Sequence, residues 1–267
     1  MGIRVVQVDA FTARPFAGNP AAVCVLPQPA DARWMLDVAR EMNLAETAFL
    51  VPRDGGQEFD LRWFSPAVEI ALCGHATLAS AKVLWEDGHL PPGRQARFHT
   101  KSGLLTADAV GDWIELDFPA VPAQTLSPPP GLLEALGVPA VYVGKNTFDY
   151  LVELGTDAQV RALQPDLAAL RRLPVRGVIV TARSSNPDFD FISRFFAPAV
   201  GVDEDPVTGS AHCCLTPYWG PKLGKTAMTA YQASPRGGVV KVRLQGDRVI
   251  LAGQAVTVLR GELTMPA

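Results

Sequence analysis

An internal repeat constrains the fold of this chain more than any other sequence feature. Residues 62–70 match residues 194–202 at a constant offset of 132, with five of nine positions identical. A helix start follows each copy within a few residues, at Cys73-Gly74-His75 in the first and at Asp205-Pro206 in the second. Self-similarity at a fixed spacing is the signature of a repeated structural unit. The sequence therefore predicts two homologous halves, each a twisted sheet around one central helix.

A proline-rich stretch, Phe118–Gly131, is the best candidate for the linker between the halves. We place the first domain at residues 1–118 and the second at residues 119–253. A chain of 267 residues can supply the core of two domains of moderate size.

Local patterns predict several elements. Residues 3–9 alternate as a strand does, and a second strand begins at Glu46. Asp31 is a plausible N-cap for a one-sided helix that Asn43 ends. A buried helix is expected over residues 76–86, and Gly246-Asp247 is typical of a hairpin turn.

The composition excludes several classes of protein. A net charge of −3 and a pI near 5.8 give no basic surface for nucleic acid. No apolar segment fits a membrane helix or a signal peptide, and no glycine-rich nucleotide-binding motif is present. The four cysteines form no C-x-x-C pair, so we expect neither a disulfide scaffold nor a metal site. We expect a cytoplasmic protein.

The duplicated helix starts predict the chemistry of the ligand. A helix N-terminus presents unpaired N–H groups and about half a positive charge, and it therefore favours anions. Two such ends in equivalent halves suit a small carboxylate held between them. The alternative is that Gly74 and Gly209 only allow each helix to pack closely on its sheet.

Motifs along nearly the whole chain resemble those of the PhzF-like phenazine-biosynthesis family. The matching segments are Val8-Asp9-Ala10-Phe11-Thr12, Phe16-Ala17-Gly18-Asn19-Pro20, Asn43-Leu44-Ala45-Glu46-Thr47, Cys73-Gly74-His75-Ala76-Thr77, Glu204-Asp205-Pro206-Val207-Thr208-Gly209-Ser210 and Gln232-Ala233-Ser234-Pro235-Arg236-Gly237. The resemblance implies an α+β, diaminopimelate-epimerase-like fold, with two pseudo-symmetric domains that each wrap a mostly antiparallel sheet around a helix. It also implies that a C-terminal strand, about residues 254–267, returns to the first domain, and that the protein is a homodimer.

The resemblance assigns roles to six residues. Glu46 matches the catalytic carboxylate of the family, while His75 and Asp205 flank the substrate and assist proton movement. Substrate binding is assigned to Gly74, Gly209 and Ser210. The implied activity is a cofactor-independent isomerisation of a small cyclic or unsaturated carboxylic acid, of which trans-2,3-dihydro-3-hydroxyanthranilate is the type substrate.

Cys73 raises a rival mechanism, because a thiol at a helix N-terminus is acidified. Two facing cysteines would make a cofactor-independent amino-acid racemase or epimerase. At the offset of 132, however, the partner of Cys73 is Asp205, and Cys213 lies eight residues further along. We therefore expect Cys213 and Cys214 to be core residues. A metabolite-binding protein without activity is the second alternative.

Overall fold

The computed structural model describes residues 2–53 and 55–264. It divides into two compact units, which are Met1–Asp117 with Ala252–Ala267 (unit 1) and Phe118–Leu251 (unit 2). The expected boundaries, 118/119 and 253/254, lie one and two residues from these. The last three residues of the expected C-terminal strand fall outside the described residues.

Unit 1 begins with eight strands and two helices, which are β1 (Ile3–Ala10), β2 (Asn19–Val25), α1 (Ala32–Met42), β3 (Glu46–Arg53), β4 (Glu58–Phe64), β5 (Glu69–Ile70), α2 (Gly74–Glu86), β6 (Ala96–Thr100), β7 (Gly103–Val110) and β8 (Trp113–Pro119). Unit 2 follows with β9 (Gln124–Thr125), α3 (Leu132–Leu136), β10 (Tyr142–Lys145), β11 (Asp149–Glu153), α4 (Asp157–Ala162), α5 (Leu167–Leu170), β12 (Gly177–Arg183), β13 (Phe191–Ala197), β14 (Val202–Asp205), α6 (Gly209–Leu223), β15 (Ala227–Gln232), β16 (Gly238–Gln245) and β17 (Arg248–Gly253). The chain then returns to unit 1 with β18 (Ala255–Leu263).

The two units share one topology. In unit 1 the strands follow the order β1–β2–β3–β4–β6–β7, and the pairings are antiparallel, parallel, antiparallel, parallel and antiparallel. In unit 2 the order β10–β11–β12–β13–β15–β16 has the same sequence of directions. Each unit also adds a short strand beside its fourth strand, β5 or β14, just before its long helix. The prediction of two like halves in an α+β fold is confirmed.

The long helix of each unit is buried rather than amphipathic. In α2 nine of thirteen residues are buried, and most of those in its first two turns are small, such as Ala76, Ala79 and Ala81. Small side chains let a sheet approach a helix closely on several sides. In contrast, α1 buries one face, with Met35 and Val38 packed on Phe49 of β3. Asp31 caps α1 and Asn43 ends it in the left-handed conformation, as the sequence predicts.

The repeat changes its offset from 132 to 135 before the long helix. Arg62 pairs with Glu69 seven residues later, whereas the equivalent Arg194 pairs with Glu204 ten residues later. The turn Pro198–Val200 matches residues 66–68 of the first copy, and the three extra residues, 201–203, follow it before Glu204. Residues at the starts of α2 and α6 therefore correspond at an offset of 135 and not 132.

None of the helices built by the described residues has the length and apolarity needed to cross a bilayer.

Candidate active site

Three chain segments of unit 1 begin at the same place. Strands β2 and β3 run parallel, so their first residues, Asn19 and Glu46, lie at the same edge of the sheet. Helix α2 begins there as well, with Cys73 as its N-cap and His75 as its second residue. A tight loop precedes Asn19, since Gly18 has φ +63° and a side chain there would strike the carbonyl oxygen of Ala10.

Glu46 and His75 are in direct contact. Oε2 of Glu46 lies 3.1 Å from Nε2 of His75, and the two side chains are 16% and 5% exposed. The other ring nitrogen, Nδ1, lies 3.1 Å from the Asn19 side-chain amide and 3.5 Å from Sγ of Cys73. The ring is therefore fixed between a carboxylate on one side and an amide and a thiol on the other.

The environment of His75 favours the charged ring. Burial lowers the pKa of His75, but Cys73 and Glu46 raise it by more, so that it lies well above its ordinary value. From the helix dipole alone, the sequence suggests a neutral imidazole. That expectation is wrong, because two groups touching the ring outweigh the partial charge of the helix end.

Cys73 is not an acidified thiol. Burial raises its pKa to about 11, and the neighbouring Glu46 adds to the effect. The expectation of a reactive thiolate at the helix start is therefore wrong for this cysteine. Its N-cap counterpart in unit 2 is Thr208 rather than Asp205, so no second thiol occupies the equivalent place. Cys213 and Cys214 are buried in the core, as predicted.

Among the described residues, Glu46, Cys73 and His75 form the group that could hold a metal ion. One donor atom from each lies within 4.8 Å of the other two. This sulfur, nitrogen and oxygen set is one that zinc accepts. However, the two nitrogens of His75 face different partners, and a single ion would have to displace one of these contacts.

In unit 2, Asp205 and Ser210 lie at the start of α6. The predicted helix start at Asp205-Pro206 is wrong, because Asp205 ends β14 and the helix begins only at Gly209, with Thr208 as its N-cap. The Asp205 carboxylate accepts a hydrogen bond of 2.5 Å from the Thr208 hydroxyl. Gln232 braces the same turn, donating to the Asp205 carbonyl at 2.7 Å and accepting from the Thr208 amide at 2.9 Å.

The structure thus holds two groups of the predicted site residues, one in each unit. Glu46, Gly74 and His75 come together in unit 1, and Asp205, Gly209 and Ser210 lie along one turn in unit 2. That the two groups converge on one ligand stays a prediction. Sequence reasoning assigned no role to Asn19 or Gln232, since an amide that orients a neighbour leaves no local pattern.

A cavity of about 420 Å³ lies elsewhere in unit 1 and contains none of the predicted site residues. Its lining is mainly apolar and includes Leu26, Met35, Phe49 and Leu61.

Comparison with known proteins gives the family. Residues 8–261 match the family model described as phenazine biosynthesis-like protein. The chain belongs to this family. An uncharacterized isomerase of Halalkalibacterium halodurans is 56% identical over 97% of both chains. A crystal structure of a PhzF-family phenazine biosynthesis protein from Enterococcus faecalis superposes with a TM-score of 0.94 at 40% identity, covering 99% of this chain and 100% of that one.

A more distant structure extends the likeness of fold alone. A probable proline racemase from Agrobacterium radiobacter has a TM-score of 0.67 at 14% identity, over 99% of this chain and 93% of that one. The fold is diaminopimelate-epimerase-like, and the enzyme is an isomerase of the PhzF-like family, as the sequence predicts.

Proposed function

We propose that this protein is a cofactor-independent isomerase that moves a proton between two carbons of a small cyclic or unsaturated carboxylic acid. By family likeness, trans-2,3-dihydro-3-hydroxyanthranilate is the type substrate. The observation that carries the proposal is the contact between the Glu46 carboxylate and the buried ring of His75 at the start of α2.

The geometry suits Glu46 as the proton carrier. Its Oε2 atom contacts His75, while Oε1 has no hydrogen-bond partner among the residues that the structure describes. Oε1 would take a proton from one carbon and return it to another, first as base and then as acid. The His75 imidazolium stabilises the carboxylate form and holds its orientation, so the carboxylate accepts the proton without having to reorganise.

The groups in unit 2 are proposed to hold the substrate. The first turn of α6 presents backbone N–H groups at Gly209 and Ser210, and the N-cap residue Thr208 does not cap them with its side chain. Open N–H groups at a helix start favour a carboxylate. Asp205 is proposed to assist proton movement at the substrate from this turn.

The racemase alternative is disfavoured by the chemistry of Cys73. A thiol with a pKa of about 11 is protonated at neutral pH, and only the thiolate removes a proton efficiently. The metabolite-binding alternative has no observation in its favour and becomes an outcome of the test below.

Exchange in deuterated buffer tests the proposal. Small carboxylic acids, with the type substrate included, are incubated with the enzyme in D₂O and followed by NMR. The proposal expects deuterium on a substrate carbon and none with Glu46→Gln. Glu58→Gln is the matched control, because Glu58 also pairs with a histidine, His99, on the same unit. Binding without exchange by the wild-type enzyme would instead identify a binding protein.

We also propose that the enzyme works as a homodimer in the cytoplasm. All four cysteines are free and buried, which fits a reducing compartment. Light scattering coupled to size-exclusion chromatography measures the mass of the assembly. A mass near 57 kDa, roughly twice the 28.6 kDa of one chain, is expected, and a mass of one chain would contradict the dimer.

A further inference from the structure

Arg176 lies immediately before β12, the strand of unit 2 that corresponds to β3, and β3 begins with Glu46 in unit 1. Thr47 pairs with Phe64, and Val178 pairs with Phe196, which is the repeat partner of Phe64. Val178 is therefore equivalent to Thr47. It follows that Gly177 is equivalent to Glu46 and that Arg176 immediately precedes it.

Gly177 has no room for a side chain. A Cβ there would lie 2.5 Å from the ring of Phe195 and 2.8 Å from the carbonyl oxygen of Phe196. Unit 2 therefore cannot carry an acid at this position. Its carboxylate lies on the neighbouring strand instead, at Asp149, whose Cα pairs with Gly177.

Asp149 fixes one edge of the Arg176 guanidinium. Its two oxygens accept from Nε at 2.9 Å and from Nη2 at 2.5 Å, and the Asp149 side chain is 1% exposed. The rings of Phe148 and Phe195 lie 5.2 Å and 5.4 Å from the guanidinium carbon. A guanidinium held bidentately and by two rings is rigid, and it is therefore suited to binding with little loss of entropy.

The other edge of the guanidinium is available. Nη2 also donates to Oγ of Ser210 at 3.0 Å, which leaves Ser210 to act as a donor through its own O–H. Neither Nη1 of Arg176 nor the Ser210 hydroxyl proton has an acceptor among residues 2–53 and 55–264. The Arg176 side chain is 33% exposed, so solvent and ligands can reach it. Donors without acceptors, at the start of a fifteen-residue helix, match an anion.

We infer that Arg176 is a substrate-binding residue, whose Nη1 group and the hydroxyl of Ser210 together hold the substrate carboxylate. The inference rests on the proposed function, because it names the residue that selects the carboxylate substrate class for the same reaction. Asp149 and the two phenylalanine rings position the guanidinium, and one of these rings, Phe195, fills the space that a side chain at position 177 would need.

Paired ligands test this without turnover. Anthranilate and 2-aminobenzamide have nearly the same shape, but only the first carries a carboxylate, and both are titrated calorimetrically into the full-length protein. The wild type should prefer anthranilate. Because charge-assisted hydrogen bonds are strong, Arg176→Met should weaken anthranilate binding by about 10- to 100-fold and leave 2-aminobenzamide nearly unchanged. Arg183→Met, an exposed change at the far end of β12, is the matched control and should alter neither affinity.

A double variant separates loss of ligand binding from loss of folding. Arg176→Met leaves Asp149 buried without its partner, so Arg176→Met combined with Asp149→Asn removes the unpaired charge as well. The double variant should show the same loss of preference for the carboxylate. A folded variant that binds anthranilate like the wild type overturns the inference, and so does a wild type that does not prefer anthranilate. Preference for the carboxylate without deuterium exchange would instead contradict the proposed isomerase and leave the role of Arg176 intact.

Discussion

In unit 1, the strand start beside the buried helix carries Glu46, and the second residue of that helix is His75. In unit 2, the equivalent positions hold Gly177 and Ser210, and an arginine joins the serine. One topology thus supports a carboxylate with an imidazole in the first half and a guanidinium with a hydroxyl in the second. The first pair is suited to moving protons, the second to holding an anion. We propose that the two halves share one topology and differ in role because of a few side-chain differences.

The largest effect is expected from the substitution that removes the proposed proton carrier of unit 1. Glu46→Gln keeps the shape of the side chain but cannot exchange a proton, and positioned acid–base catalysis is worth about 10²–10⁴-fold. Turnover should fall by at least that order, whereas affinity for anthranilate should hold or rise, since Glu46 does not bind the carboxylate. Rates come from NMR and affinities from calorimetry. An active Glu46→Gln enzyme would contradict the proposed role of Glu46, and with it the proposed difference in role between the halves.

The next largest effect is expected on the unfolding free energy, and it should differ between the repeated arginines Arg194 and Arg62. Arg194 is 11% exposed, pairs with Glu204 and also donates to the carbonyls of Val160 and Leu163. Its counterpart Arg62 is 35% exposed, and Glu69 keeps a second partner, Lys101. Arg194→Met should cost about 3–5 kcal/mol of unfolding free energy, because it leaves the Glu204 carboxylate, which is 17% exposed, and the two carbonyls without their partner. Arg62→Met should cost about 1 kcal/mol or less.

Urea denaturation measures both costs on the full-length protein. Equal losses would show that the deeper burial of Arg194 and its two carbonyl partners make no energetic difference between the halves.

A smaller effect concerns the charge of His75. Its folded pKa lies above the ordinary value, so the stability it contributes is fully present below about pH 6.5 and is lost as pH rises through the folded pKa. Glu46→Gln removes one group that raises this pKa and leaves the burial that lowers it. The pKa of His75 should therefore fall, and the variant's deficit in unfolding free energy should shrink with rising pH.

Titration of the His75 ring by NMR, with urea unfolding at several pH values, measures both quantities. A deficit that grows with pH would contradict the charged-ring assignment.

The smallest effect is expected at Cys73. Since its thiol is protonated and Thr208 stands in the equivalent place, Cys73→Ala should change turnover by well under 10-fold. Cys24→Ala, at another buried thiol of unit 1, controls for packing. A folded but inactive Cys73→Ala protein, together with an active Glu46→Gln protein, would establish thiol chemistry instead.

Much of the architecture is predictable from local patterns, and the two errors about Asp205 share one cause. The alternation in β1, the cap at Asp31 and the buried run of α2 are short-range features, and each predicts its element correctly. An offset of 132 does not hold at the helix starts, because unit 2 has three extra residues, 201–203, just after the 3₁₀ turn. For that reason the sequence places the second helix start at Asp205 and makes Asp205 the counterpart of Cys73. Insertions inside a repeat are invisible where no matched residues flank them closely.

The sequence by itself determined the duplication, the family, and the chemical character of Glu46 and the helix starts, because these reside in residue identity and spacing. Only the tertiary structure decided the state of His75 and Cys73, since pKa values depend on burial and on neighbours distant in sequence. It alone placed Asn19 beside His75, 56 positions apart, and Arg176 beside Ser210, 34 positions apart. Parallel strand pairing and a buried helix bring such residues together, and no local pattern records which side chains will meet.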